Sequence, residues 1–141
     1  MPVRLSAIQR YNVDHLVKRA AYWSAADTSW TTHFSLARHE PQGLNWEGPG
    51  GAGALVQALR DEGTAYDAAM VAHAARSTAQ TSAATLMLLK QNVLGHVETT
   101  QAAGFHVNDD LSVQDTMTSY PNASIAITRQ RQAELHTADI G

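Results

Sequence analysis

The stretch AGALVQALRDEGTAYDAAMVAHAARSTAQTSAATLMLL, residues 52–89, decides the fold. Its apolar and small side chains recur at steps of three and four, through Leu55, Leu59, Gly63, Tyr66, Met70, Ala74, Ser77, Thr81, Ala84 and Leu88. That is the period of an α-helix, not the period of two that a half-buried strand shows. No proline interrupts the chain from Gly50 to Tyr120. Beyond the stripe, Leu86, Leu89, Val93, His96 and Val97 rotate the apolar face. The spacing predicts one helix over Ala52–Ala103, about 80 Å long at 1.5 Å per residue. A helix of that length without internal caps calls for coiled-coil-like pairing. The small centre of the stripe allows a neighbouring helix to come close.

A second seam lies upstream, in Val13, Leu16, Ala20, Trp23, Asp27, Trp30, Phe34 and Ala37, with Asp27 as its one polar interruption. Asn12 is a suitable N-cap, and Asp14 sits in the first turn, where the helix dipole favours an acid. Pro41 and Gly43 are expected to stop this helix just after Arg38. Before it, Ser6 is expected to cap a short turn through Tyr11. The breaker cluster Pro41–Gly53 joins the two helices and holds Trp46 in its middle. Downstream, Gly104 reads as the C′ residue of the long helix. Phe105 to Val113 reads as a short hairpin or turn around Asn108, Asp109 and Asp110. Pro121 and Asn122 open a third helix to about Ala138, with Ile125, Thr128, Gln132 and Leu135 on one face.

The expected fold class is all-α: a long antiparallel helical hairpin with a short β-turn or hairpin and a third packing helix, in a single domain, 1–141. The first helix is about 40 Å long, so it covers only about half of the second. The third is expected to cover the distal half. Its apolar face is sparse, and the chain reads as the N-terminal part of a longer protein.

Composition narrows the function. The 141 residues carry a formal charge of −3 and only two lysines, Lys18 and Lys90, so no basic face for nucleic acid is expected. The neighbours Arg129 and Arg131 are a local exception. There is no cysteine, which removes disulfides and thiolate metal sites. No apolar run reaches the roughly 20 residues of a membrane span. Met1 to Arg10 lacks the apolar core of a classical signal peptide.

Chemistry-bearing patterns do not assemble. His15, His33, His39, His73, His96, His106 and His136 form no His-x-x-x-His pair. Asn108, Asp110 and Ser112 alternate as calcium ligands do, but Leu111 and Val113 surround the place where the loop needs glycine and Ser119 stands where it needs glutamate, so an acidic turn is expected. The Gly48–Gly53 run lacks the Gly-Lys-Ser/Thr ending of a phosphate loop. Asp61, Glu62 and Asp67 read as solvated carboxylates. No catalytic residue, metal site or cofactor is expected.

Trp46-Glu47-Gly48 lies in the turn between two seam-bearing helices. In that position the tripeptide resembles the WXG superfamily of type VII secretion substrates. The opening Leu5-Ser6-Ala7-Ile8-Gln9-Arg10-Tyr11-Asn12 and the passage Gly104-Phe105-His106-Val107 are similar to actinobacterial N-terminal domains of that kind. The resemblance covers nearly the whole chain, with Trp46 and Gly48 as its one sharply defined motif. It implies a helical interaction and targeting module that binds a small helical WXG-like partner or a second copy of itself. It further implies contact with the secretion machinery, and a secreted or cell-envelope location reached without a cleaved signal peptide. The expected helix interface is Trp23, Trp30, Phe34, Leu59, Tyr66 and Met70, with Val17, Leu36, Val56 and Leu86 pointing elsewhere.

Such substrates or their partners carry a Tyr-x-x-x-Asp/Glu signal. Here Tyr11, Tyr22, Tyr66 and Tyr120 are followed four positions later by His15, Ala26, Met70 and Ser124, so either the signal lies on a partner or beyond Gly141, or the module does not itself direct export. Two other functions compete. One is a structural coiled-coil assembly protein. The other is the non-catalytic N-terminal part of a secreted hydrolase or toxin. In neither case is the chain itself an enzyme.

Overall fold

The computed structural model describes residues 2–43 and 48–141. Four helices and one small sheet follow in the order α1 (Leu5–Arg10), α2 (Asp14–Gly43), α3 (Pro49–Ala102), β1 (Phe105–Val107), β2 (Val113–Asp115) and α4 (Ala123–Ile140). The chain is thus mostly helical, with one antiparallel two-stranded sheet. The Trp46 of the expected turn motif lies outside the described residues. Gly48 stands at φ +90° immediately before α3, in the left-handed region where a Cβ is strained, although open space surrounds it. The helix α2 runs past Pro41 to Gly43, where a stop after Arg38 was expected. A proline's fixed φ suits a helix, and its cost falls on the preceding turn as a lost hydrogen bond.

The contacts group into two compact units, Val13–Ala84 and Met1–Asn12 with Thr85–Gly141, and α3 contributes to both. Within Val13–Ala84, α2 and the first part of α3 run antiparallel. Asp27 faces His73, while Trp30 and Phe34 share a cleft with Glu62, Ala65 and Tyr66. Nearer the start of α2, Ala20 shares a groove with Gln80 and Ala83. The buried side of α2 follows its sequence seam, with Val13 and Ala20 buried and Leu16, Trp23, Asp27 and Phe34 partly so.

On α3 the register differs from the expected one. The buried residues are Ala65, Ala69, Ala72, Ala79 and Ala83. Leu59, Tyr66 and Met70, expected inside the hairpin, are 45%, 66% and 52% exposed. One residue is 100° of helix rotation, so an offset of one turns the whole stripe from inside to outside. The periodicity carried two candidate seams. The tertiary structure packs the alanine one, because methyl groups let the aromatic side of α2 approach α3 closely. The same substitution of small for large occurs in α4. There Ala133 and Ile140 are buried while Leu135, on the expected face, is 65% exposed.

The second unit is built around Leu5, Val97, Val107 and Ile140, with Val93, Leu94, Leu111 and Val113 packed against them. The six-residue α1 is too short to persist alone, and two distant residues tie it down. Asp109 takes the amide of Leu5 on its carbonyl at 2.8 Å and that of Ser6 on its carboxylate at 2.8 Å. Ser6 therefore lies inside the helix and does not cap it. Hydrogen bonding from Ser6 also holds the Asp109 carboxyl below its usual range. At the other end the Lys90 ammonium donates to the carbonyls of Gln9 at 2.8 Å and Tyr11 at 2.7 Å. The α1 N-terminus is thus served by the β1–β2 turn and its C-terminus by α3.

In the turn itself, Asp110 accepts from the Ser112 amide at 3.0 Å and from its hydroxyl. Asn108 donates to Ser112 at 2.9 Å. Leu111 takes the positive φ of 69° that closes the turn. The three side chains that alternate like calcium ligands are therefore engaged with one another.

α4 starts at Asn122, whose side chain accepts from the Ile125 amide at 3.0 Å. It returns antiparallel to the end of α3. Arg129 donates to the carbonyls of Ala103 at 3.1 Å and Gly104 at 3.0 Å, while His136 meets the buried Thr100 hydroxyl at 3.2 Å. Arg129 caps the carbonyl end of α3, where the dipole favours a cation. Gly104, at φ +86°, is the C′ residue that lets the chain turn there. The guanidinium also binds Asp115 through both Nε, at 3.0 Å, and a terminal nitrogen, and it lies 4.1 Å above the Phe105 ring. Asp115 further accepts from the Met117 amide at 3.0 Å and the Tyr120 hydroxyl at 2.8 Å.

The Arg129 hydrogen bonds hold the Asp115 carboxyl far below its ordinary value of 3.8, against the opposing effect of desolvation. The Tyr120 hydroxyl is raised by its own hydrogen bond to the Asp115 carboxylate, and Arg129 by its hydrogen bonds to the same group. A depressed carboxylate contributes stability above its unfolded pKa and loses it as pH falls toward the folded one. Melting temperatures of wild type and Asp115→Asn are therefore expected to differ at neutral pH. The gap should narrow progressively below about pH 4. Thermal denaturation followed by circular dichroism checks this, and a constant gap down to about pH 2 contradicts it.

Candidate interaction surface

The outward stripe of α3 is the most distinctive surface in Val13–Ala84. Val56, Leu59, Gly63, Tyr66 and Met70 are spaced by three, four, three and four residues, which is a heptad seam. Each of the four side chains is close to half exposed or more, from 45% at Leu59 to 66% at Tyr66. A Cβ built on Gly63 meets nothing within 4 Å. Leaving such a row in water forgoes roughly 25 cal/mol for each Å² of apolar surface that a partner would cover. Isolated exposed apolar residues are ordinary, whereas a periodic row of them is the pattern of a docking face.

Beside this row the two helices form a cleft of about 140 Å³, lined by Trp30, Phe34, Glu62, Ala65 and Tyr66 among others. The rings of Trp30 and Phe34 stack at 5.2 Å with 14° between their planes, as residues four apart on one helix face can. Trp23 meets Tyr22 edge-on at 5.2 Å. Of the expected interface residues, the structure therefore brings Trp30, Phe34 and Tyr66 together around one cleft. Trp23 lies on the inner side of α2, while Leu59 and Met70 stand on the outer row. Val17, Leu36 and Val56, expected to point elsewhere, are all exposed.

Asp27, the polar break in the α2 seam, faces the Nδ1 of His73 at 3.9 Å. The same nitrogen meets an Arg76 guanidinium nitrogen at 2.7 Å. A guanidinium only donates, so Nδ1 is the acceptor there.

In the other unit a shallow apolar groove of about 300 Å³ runs between α1 and α3, lined by Val3, Ile8, Tyr11, Leu86, Leu89 and Val93 among others. The sequence placed Leu86, Leu89 and Val93 under the third helix. The structure sets the first two beside α1, and only Val93 reaches the core that includes Ile140 of α4. Among the described residues, no group of three His, Asp or Glu side chains is placed to hold a metal. Among the same residues, no helix is long and apolar enough to cross a membrane.

Lys90, Asp109, Asp115 and Arg129, the residues that organise the second unit, carried no local signal. Each acts on backbone or charge distant in sequence; Lys90 stood out only as one of two lysines, Asp109 as part of an acidic turn and Arg129 as lying close to Arg131.

No family model matches the chain, and no solved structure matches it significantly. It is 33% identical over 140 residues to uncharacterized proteins of Mycobacterium bovis and of two strains of Mycobacterium tuberculosis. These alignments take in 99% of this chain and 43% of each relative, so the chain spans about two-fifths of the length of the curated relatives it matches.

Proposed function

We propose that the chain is a helical interaction and targeting module of the WXG type, the N-terminal part of a type VII secreted protein, and that it binds a helical partner along α3. The observation that carries this reading is the exposed heptad row Val56–Met70, separate from the alanine seam that the hairpin uses internally. A helix with one seam needs one neighbour, and α3 has two seams. The order of a shorter helix, a left-handed Gly48 and a longer helix fits the WXG arrangement. The mycobacterial relatives fit its actinobacterial setting, and their greater length leaves room for a further domain. In this reading the module does its work by packing, and turnover belongs to other parts of the parent protein.

The test is site-specific photocrosslinking in a mycobacterial cell, with the probe at Leu59 or, as control, at exposed Arg131. The Leu59 probe is expected to capture a helical segment and the control to capture nothing reproducible. A tagged copy is expected in the culture filtrate of cells with a working type VII ATPase, and only in the cell pellet without it. Absence of any Leu59 adduct, or export indifferent to the ATPase, overturns the corresponding half of the proposal.

A further inference from the structure

The groove between α1 and α3 combines apolar walls with a single cation. Lys90 is the one charged residue among those that line it. Its ammonium donates to the carbonyls of Gln9 at 2.8 Å and Tyr11 at 2.7 Å, which holds it against the C-terminal end of α1. Both acceptors are neutral, so the charge is not cancelled, and among the described residues Lys90 forms no ion pair. An ammonium has three N–H donors, and the two carbonyls take two of them.

The direction of the groove follows from how α1 is fixed. Its first residue, Leu5, packs with Val97, while Gln9 and Tyr11 at its other end meet Lys90, so α1 lies antiparallel to this part of α3. The groove therefore runs from Tyr11 and the Lys90 ammonium toward Val3 and Val93. On α3 its floor spans Leu86 to Val93, which is about 10 Å along the axis at 1.5 Å per residue.

We propose that this groove binds a single-chain fatty carboxylate of medium length. The carboxylate takes the remaining N–H of Lys90, and the alkyl chain lies along Leu89 and Val93 against Ile8 and Val3. A volume of about 300 Å³ stands at the small end of ligand sites, which suits one alkyl chain and not a two-chain lipid. The charge decides the head group. A neutral ligand would cover the ammonium without pairing it, at a desolvation cost, and a cationic one would be repelled. The shape separates a free chain from a bilayer surface carrying the same anionic and apolar chemistry. Val3 and Leu89, 61% and 54% exposed, form the rim that a flat bilayer reaches, whereas Ile8, Leu86 and Val93 are recessed and partly buried. This site is independent of the outer row Val56–Met70 and of the reading built on that row.

NMR shift titrations of the 141-residue chain test this, with octanoate, decanoate, octanol and octyltrimethylammonium, each below its micelle concentration. Octanoate is expected to bind about ten-fold more tightly than octanol of equal chain length, and octyltrimethylammonium not to bind. Decanoate is expected to bind about ten-fold more tightly than octanoate, at roughly three- to four-fold for each buried methylene. The shifts should centre on Ile8, Tyr11, Leu89 and Lys90. Lys90→Met keeps the apolar stem and is expected to abolish the preference for octanoate over octanol. Because Lys90 also anchors α1, Leu89→Asp at an exposed position supplies a second test. It places an anion in the groove and is expected to weaken decanoate binding about ten-fold or more, with unchanged circular dichroism. Octanol binding as tightly as octanoate, shifts centred elsewhere, or indifference to Leu89→Asp overturns the site. Co-sedimentation with phosphatidylglycerol vesicles, joined to no shift from monomeric decanoate, would assign the groove to a bilayer surface and also overturn it.

Discussion

Phe105→Ala is expected to lower the stability of the unit formed by α1, the end of α3, the hairpin and α4 by about 3–5 kcal/mol, the range for truncating a buried aromatic ring. Phe105 is 3% exposed and opens β1 directly after the Gly104 turn. One face of its ring carries the Arg129 guanidinium at 4.1 Å, and the His136 ring lies tilted against it at 5.2 Å. Removing the ring leaves a cavity and also takes away the surface on which Arg129 rests while it caps α3 and holds Asp115. Phe105→Leu keeps most of the apolar volume and should cost clearly less. Urea denaturation followed by helicity measures both variants. A loss below about 1 kcal/mol for the alanine variant would show that the ring is no anchor of this unit.

The second large effect is expected at the alanine seam. Ala72 is 2% exposed between α2 and α3, so Ala72→Leu forces added methyl and methylene groups into a closed space. Overpacking of this kind costs about 1–3 kcal/mol. Ala74→Leu, two residues along on the stripe that periodicity first suggests, is exposed and should change stability by no more than about 0.5 kcal/mol. The two substitutions add the same atoms to the same residue type on the same helix. They differ only in which way the side chain faces, so their comparison is a direct measurement of register. Equal effects, or a larger cost at Ala74, would reverse the assignment of the two seams.

The existence and type of the long elements were legible in the residue pattern, although α2 runs to Gly43 and not only to Arg38. The three-four spacing marked α2 and α3, Gly104 marked the end of α3, and Asn122 marked the start of α4. The alternation after Gly104 marked the hairpin, which forms with Phe105 opposite Asp115 and Val107 opposite Val113. These are local matters, set by backbone preference, capping and turn chemistry within a few residues.

Which face each helix buries was not local. On α3 the row through Leu59, Tyr66 and Met70 and the row through Ala65, Ala69 and Ala72 have the same period, and bulk favoured the first. Burial chose the second, because the interaxial distance is set by both partners together. Trp30 and Phe34 of α2 share a cleft with Ala65 of α3, where the buried residue on α3 is the small one. α4 repeats the lesson with Leu135 outside and Ala133 inside.

The sequence by itself determined a mostly helical chain with two seam-bearing helices and Gly48 ahead of the longer one. Only the tertiary structure decided that α1 is held from afar by Asp109 and Lys90, and that Arg129 gathers Asp115, Phe105 and the end of α3. It also decided that the more conspicuous of the two seams on α3 faces outward. Hydrogen-bond partners of exposed backbone ends and the rotation of a helix about its axis depend on what else is nearby. Periodicity along one chain is blind to both, since a pattern of threes and fours is unchanged by turning the helix around.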